Sequence, residues 1–169
     1  MDNLISVRGF SPEIGSDSFI SPTAMIIGDV IAGNHCSFWF NAVVRGDVNS
    51  IRIGDFTNIQ DGAVIHATFE RTKTIIGNYV SVGHNAIIHG CKIANYVLIG
   101  MGAIIMDDAV IEDYCIIAAG AVILERTVCE SGYLYAGIPA KKIKPISSEQ
   151  RTSLAQTPVN YVLYSSWFI

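Results

Sequence analysis

The sequence predicts an all-β fold: a parallel β-helix wound as a triangular prism of hexapeptide repeats, followed by a C-terminal α-helix. Three observations carry this reading. Aliphatic residues recur at steps of six through most of the chain. Small or medium residues fall four places after many of them. The steps that break the period all follow the third anchor of a triplet, as expected if three sides make a coil and irregularity is confined to one corner.

The anchors run Ile14, Ile20, Ile26; Ile31, Ser37, Val43; Ile53, Ile59, Ile65; Ile76, Val82, Ile88; Ile93, Ile99, Ile105; and Ile111, Ile117, Ile123, with Ser37 the single polar exception. Ser18, Ala24, Thr57, Ala63, Val80, Ala86, Val97, Ala103, Ala109, Cys115 and Ala121 take the fourth place. Alternate residues of a strand share a face, so a small residue and the anchor two places later both point inward. A helical period of 3.6 cannot hold that register. Ile26 to Ile31 and Ile88 to Ile93 are steps of five, Val43 to Ile53 is ten and Ile65 to Ile76 is eleven. Six coils over about Ile14 to Leu124 follow, with loops near Arg45 to Ile51 and Ala67 to Thr74.

The tail leaves the period. Gly132 to Pro145, with Gly137, Pro139 and Pro145, reads as a connecting loop. Ser147-Ser148-Glu149-Gln150 then offers an N-cap with an acid and an amide in the first turn, predicting a helix from about Ser148 to Gln156 that Pro158 interrupts. Tyr161, Leu163, Tyr164, Trp167 and Phe168 form an apolar end that should pack on the prism or on a neighbour. The organisation expected is a repeat domain with its N-terminal cap over residues 1–131, and a loop and helical tail over 132–169.

Composition narrows the function. A chain of 169 residues suits one domain, and 50% of it is hydrophobic, enough for a sizeable core. Eleven Lys+Arg against 15 Asp+Glu give a net charge of -4, so no nucleic-acid surface is expected. Mean hydropathy is high at +0.40, yet no apolar run approaches the ~20 residues of a membrane span. The first ten residues carry no basic stretch ahead of a long apolar run, so no signal peptide is read and a cytoplasmic location is expected. Cys36, Cys91, Cys115 and Cys129 show no C-x-x-C spacing and read as reduced thiols.

The register sorts the four histidines. His35 lies at an inward or corner position and reads as structural. His66 follows Ile65 and His89 follows Ile88, the same place in consecutive coils. Coils about 4.8 Å apart let two such imidazoles converge on one ion at Zn–N distances of roughly 2.0–2.1 Å. His84 sits two places after Val82, a corner away from His89. A second chain resolves the mismatch: around a three-fold axis, His84 of one subunit can approach the His66/His89 pair of the next. Three histidines and an open fourth position are the arrangement of catalytic zinc. Outward histidines are also common surface residues, and it is the shared register that favours a metal.

Val44-Arg45-Gly46-Asp47, the run Ile53-Gly54-Asp55-Phe56-Thr57-Asn58-Ile59-Gln60-Asp61-Gly62-Ala63-Val64-Ile65-His66, then Val82-Gly83-His84, Ile88-His89-Gly90-Cys91 and Tyr133-Leu134-Tyr135-Ala136-Gly137-Ile138-Pro139-Ala140-Lys141 resemble the γ-class carbonic anhydrase family of hexapeptide-repeat proteins. The likeness covers about Phe10 to Ile146. It implies a left-handed β-helix in a homotrimer, with His66 and His89 from one chain and His84 from its neighbour as metal ligands. The metal implied is zinc, with iron or cobalt as substitutes. Arg45 and Asp47 would form an intersubunit ion pair, Gln60 would orient the reacting water or substrate, and Asn58 and Asp61 would support the interface. The activity implied is hydration of carbon dioxide to bicarbonate. The family's anhydrases carry glutamates after the Arg-Gly-Asp motif and in a longer acidic loop. Here Val48 follows Asp47, and the short loop Ala67-Thr68-Phe69-Glu70 offers Glu70 as the acid. The competing readings are an acyl-CoA transferase or thioesterase of the hexapeptide superfamily and a noncatalytic trimeric scaffold.

Overall fold

The computed structural model describes residues 3–168. The chain winds as a left-handed parallel β-helix of about seven turns. Each of its three faces is a ladder of short strands in strict register. The first stacks Ile14, Ala32, Ile53, Ile76, Ile93, Ile111 and Cys129. The second stacks Ile20, Phe38, Ile59, Val82, Ile99, Ile117 and Tyr135. The third stacks Ile26, Val44, Ile65, Ile88, Ile105 and Ile123. These side chains, with the alanines, valines and cysteines two places before them, fill one continuous core. All four cysteines are buried and free, and burial pushes the Cys91 thiol up to about 12.

One triplet is displaced by a residue from the sequence reading. Ala32, Phe38 and Val44 point inward, whereas Ile31 is 40% exposed and Ser37 lies on the outer side, where its hydroxyl accepts from the Trp39 indole at 2.9 Å. With a side-chain period of two, a shift of one residue turns every side chain to the other face. Choosing the aliphatic Ile31 over the small Ala32 therefore misplaced the triplet. The segment expected as a loop near Arg45 to Ile51 is instead part of one strand, Val43–Ile53. Gly46 pairs with Gly28 and Ile51 with Val30, so three extra residues bulge out where the strand crosses the corner between the third and first faces. Gly28 and Gly46 allow this close pass, since a Cβ on Gly28 would lie 2.4 Å from the Gly46 carbonyl oxygen. The 67–73 loop is present as expected.

The corner between the first and second faces is held by two ladders. His35, Phe56, Tyr79, Tyr96 and Tyr114, all with φ between 56 and 58° apart from Phe56 at 53° and Tyr79 at 55°, stack with centroids 4.6–5.0 Å apart. Beside them Asn34, Asp55, Asn78, Asn95 and Asp113 each accept a backbone N–H from the preceding coil. His35 is thus a structural member of the column.

The tail differs from expectation in two ways. Residues 132–145 form an antiparallel hairpin, Tyr133–Gly137 with Ala140–Pro145. Its first strand adds the seventh rung of the second face, because Tyr135 continues the inward ladder. The exposed second strand carries Lys141, Lys142 and Lys144, charges that discourage further edge pairing. The helix α1 runs Ser148–Ser165, past Pro158. The predicted capping box is present: Ser147 accepts from the Gln150 backbone, and Gln150 accepts from the Ser147 backbone. Pro158 is tolerated because it is buried with Leu154 against the prism, and that packing offsets the lost helical hydrogen bond. Of the apolar end, Tyr161 and Phe168 pack against Trp39, whereas Leu163 and Trp167 stay 57% and 68% exposed. No described helix is long and apolar enough to cross a membrane. Ile99→Ala, at a fully buried mid-prism rung, is expected to cost about 2–5 kcal/mol, read as a lowered denaturant midpoint.

Candidate metal centre

His66 and His89 end adjacent strands of the third face and are direct register partners. Their rings lie with centroids 5.2 Å apart, and His66 Nδ1 is 3.2 Å from His89 Nε2. Each ring spends its other nitrogen on a carboxylate. His66 Nε2 meets Asp47 Oδ1 at 3.0 Å, and His89 Nδ1 meets Asp107 Oδ1 at 2.7 Å. Burial alone would raise the Asp47 carboxyl, but hydrogen bonds from Arg45 and His66 outweigh it and hold the group below its ordinary value. Asp107 is likewise lowered, burial being outweighed by hydrogen bonds from Thr68 and His89. Both carboxylates are therefore ionised at neutral pH and can only accept, which puts the ring protons on His66 Nε2 and His89 Nδ1. Burial, opposed by the Asp47 hydrogen bond, lowers the His66 pKa and favours its neutral form.

With both rings in their neutral forms, two lone pairs then face each other across 3.2 Å. Without a proton or a cation between them they repel. The separation is close to the ~3.3–3.4 Å edge of a tetrahedron with Zn–N bonds of roughly 2.0–2.1 Å. The donor set and its spacing fit a divalent metal.

His84 stands elsewhere. It lies at the corner between the second and third faces, next to Asn85 with its φ of 57°. His89 lies at the far end of the third face in the same coil. Four residues lie between the two, the turn residue Asn85 and the run Ala86 to Ile88 that crosses the third face, so the imidazoles stand at opposite ends of that face. Among the described residues of one chain no three His, Cys, Asp or Glu side chains converge as a metal site. His84 also has a carboxylate beside it, with its Nδ1 2.9 Å from Asp61 Oδ2, but unlike the other two pairs this one is not aligned as a hydrogen bond.

The other candidates divide between these two places. Gln60 and His84 line one groove with Met101 and Tyr161. Gln60 Nε2 donates to Asn58 Oδ1 at 3.0 Å, and Asn58 Nδ2 donates to Ser81 Oγ at 2.8 Å, so a buried polar ladder fixes the Gln60 amide. Arg45 pairs with Asp47 within one chain, and its side chain remains 42% exposed. Glu70 sits on the exposed turn of the 67–73 loop with φ 50° and hydrogen-bonds to none of the site side chains described. The sequence reading missed Asp107, which lies two residues after the anchor Ile105, and did not foresee that the apolar tail residues Tyr161, Tyr164, Trp167 and Phe168 would join Trp39 as a wall beside His84 and Asp61.

A left-handed hexapeptide β-helix bearing carboxylate-backed histidines at two corners defines a class of protein. Residues 90–125 match the model for the bacterial transferase hexapeptide family (six repeats). A carbonic anhydrase from Geobacillus kaustophilus is 41% identical over 155 residues, covering 92% of this chain and 85% of that protein. The mitochondrial γ carbonic anhydrase 2 of Arabidopsis thaliana is 38% identical over 164 residues, 94% of this chain, and the chain spans 59% of that relative's length. Among solved structures, a hexapeptide transferase family protein from Anaplasma phagocytophilum superposes with a TM-score of 0.94 at 39% identity, covering 98% of both chains. The chain belongs to the γ-carbonic anhydrase-like family of hexapeptide-repeat proteins.

Proposed function

We propose that the protein is a metal-dependent carbonic anhydrase that works as a homotrimer in the cytoplasm, with zinc held by His66 and His89 of one chain and His84 of the next. The observation that carries this is the pair of facing imidazole nitrogens, 3.2 Å apart, on rings each hydrogen-bonded to a carboxylate through the other nitrogen. Iron or cobalt would suit the same nitrogen donors. When bound, the metal supplies the Lewis acidity that lets water lose a proton near neutral pH for attack on carbon dioxide.

The chain's own residues do the rest. Asp47 and Asp107 hold protons on the outer ring nitrogens and aim the inner ones. Asp61, beside His84 Nδ1, would do the same for that ring once the two are aligned. Gln60, with its amide nitrogen spent on Asn58, has Oε1 left to accept from a water or substrate proton. Glu70, at the solvent edge, is the carboxylate that would accept the released proton and pass it to solvent. The third face supports the trimer: beside the histidine pair it turns Val64, Ile87, Ile104 and Val122 outward, with Val64 37% and Ile87 39% exposed. An apolar stripe of that kind suits an interface.

Stopped-flow hydration of carbon dioxide on metal-supplemented protein, beside an acyl-CoA hydrolysis assay on the same sample, tests the reaction. Hydration that tracks metal content supports the proposal. Acyl-CoA turnover without hydration would instead favour the transferase or thioesterase reading, and neither activity without metal uptake would favour the scaffold. Ile87→Glu is expected to dissociate the trimer while leaving the coil folded, and Arg45→Ala to weaken association more mildly. Sedimentation at several concentrations checks both, and an unchanged mass for Ile87→Glu would refute the interface assignment.

A further inference from the structure

Asp107 belongs to no motif that singled out the site, yet it is the most enclosed of the carboxylates around the histidines. Its side chain is 8% exposed, against 26% for Asp47 and 42% for Asp61. Such a group needs partners, and it has three: Thr68 Oγ1 donates at 2.6 Å, Thr72 Oγ1 at 3.3 Å and His89 Nδ1 at 2.7 Å. Both threonines come from the 67–73 loop that follows His66. Gly90, next to His89, leaves the space they occupy, since a Cβ there would lie 2.0 Å from Asp107 Oδ1 and 2.2 Å from Thr72 Oγ1. The loop after one histidine thus grips the carboxylate that backs the other.

We propose that Asp107, clasped by Thr68 and Thr72, is the positioning residue that keeps the His89 proton on Nδ1 and turns its Nε2 lone pair toward His66, so that each chain carries a preformed half-site for a divalent metal. This rests on the reading that His66 and His89 hold the metal. Two of the partners fix Asp107, and its remaining interaction fixes the imidazole. A carboxylate held from the loop cannot rotate away when the ring moves, and a neutral imidazole that donates at Nδ1 must present an acceptor at Nε2. Outer partners of this kind typically change metal affinity about 10- to 100-fold when removed.

The test uses the full-length protein and two readouts. The first is zinc affinity, measured by competition with a chelator; the second is the His89 ring tautomer in metal-free protein, read from imidazole 15N shifts and assigned with His89→Gln. Asp107→Ala is expected to weaken zinc binding about 10- to 100-fold and to let the His89 proton distribute over both nitrogens. Thr68→Val, which keeps the carboxylate but loosens it, should move both readouts in the same direction by less, and serves where Asp107→Ala does not fold. Asp108→Asn, which loses only an exposed contact with Arg71, should match the parent protein. A lowered melting temperature with zinc affinity and tautomer unchanged would show that Asp107 merely ties down the loop, and would overturn the proposal. If the parent protein takes up no zinc, the metal reading fails, while an altered His89 tautomer in Asp107→Ala still supports the hold on the ring and an unaltered one overturns it.

Discussion

His84→Ala is expected to strip the protein of metal and of carbon dioxide hydration while leaving the prism and the trimer intact. Its imidazole is partly exposed at a corner and touches Asp61 rather than the core, so its removal opens no buried cavity. Its effect on the ion should be large. Four-ligand zinc sites bind with about 10–16 kcal/mol, so one ligand carries roughly 2.5–4 kcal/mol, on the order of 10²- to 10³-fold in affinity. Metal content by elemental analysis, with circular dichroism and sedimentation on the same sample, checks the prediction. Full metal retention would mean that His66 and His89 suffice or find another third donor. Loss of the whole fold would assign His84 to stability instead. Mixing His84→Ala with His66→Ala chains provides a further check: trimers containing both variants regain intact sites only if the ligands come from different chains.

Gly90→Ala should be the most damaging single-methyl change near the centre. Gly90 has a φ of 57°, a left-handed conformation that costs a residue with a Cβ about 1–2 kcal/mol. The new Cβ would also meet Asp107 Oδ1 and Thr72 Oγ1 far inside contact distance, so the carboxylate must move away from His89 or the loop must lift. A total loss of about 3 kcal/mol is expected. It should appear as a lower denaturant midpoint together with weaker zinc binding. Gly102→Ala is the comparison: φ is 66° there too, but nothing lies within 4 Å of the added Cβ, so about 1–2 kcal/mol and no change in metal affinity should result. Equal losses at the two positions would mean that the Asp107 network has no special sensitivity to Gly90.

Much of this arrangement is legible in the sequence. The His66/His89 pairing followed from two histidines each one place after an inward isoleucine, and the structure makes them register partners. The separation of His84 followed from its different place in the coil. The capping box at Ser147 and Gln150 was readable because capping involves only residues three apart. The inward place of Ala32 was not, since a small residue beside a large aliphatic one gives an ambiguous period-two signal. Neither was the hairpin at Tyr133–Pro145, where glycine and prolines mark a turn without showing that the flanking residues pair.

The chain's own repeat determined the prism, its three faces and the place of each histidine along a coil, because every rung repeats the same contact with its nearest neighbours. Tertiary structure alone decided that Asp107 backs His89, that the 67–73 loop clasps Asp107, and that Pro158 stays inside a helix. Those outcomes depend on corner insertions of irregular length and on packing between segments far apart in the chain. A six-residue period carries no information about where such insertions fold back.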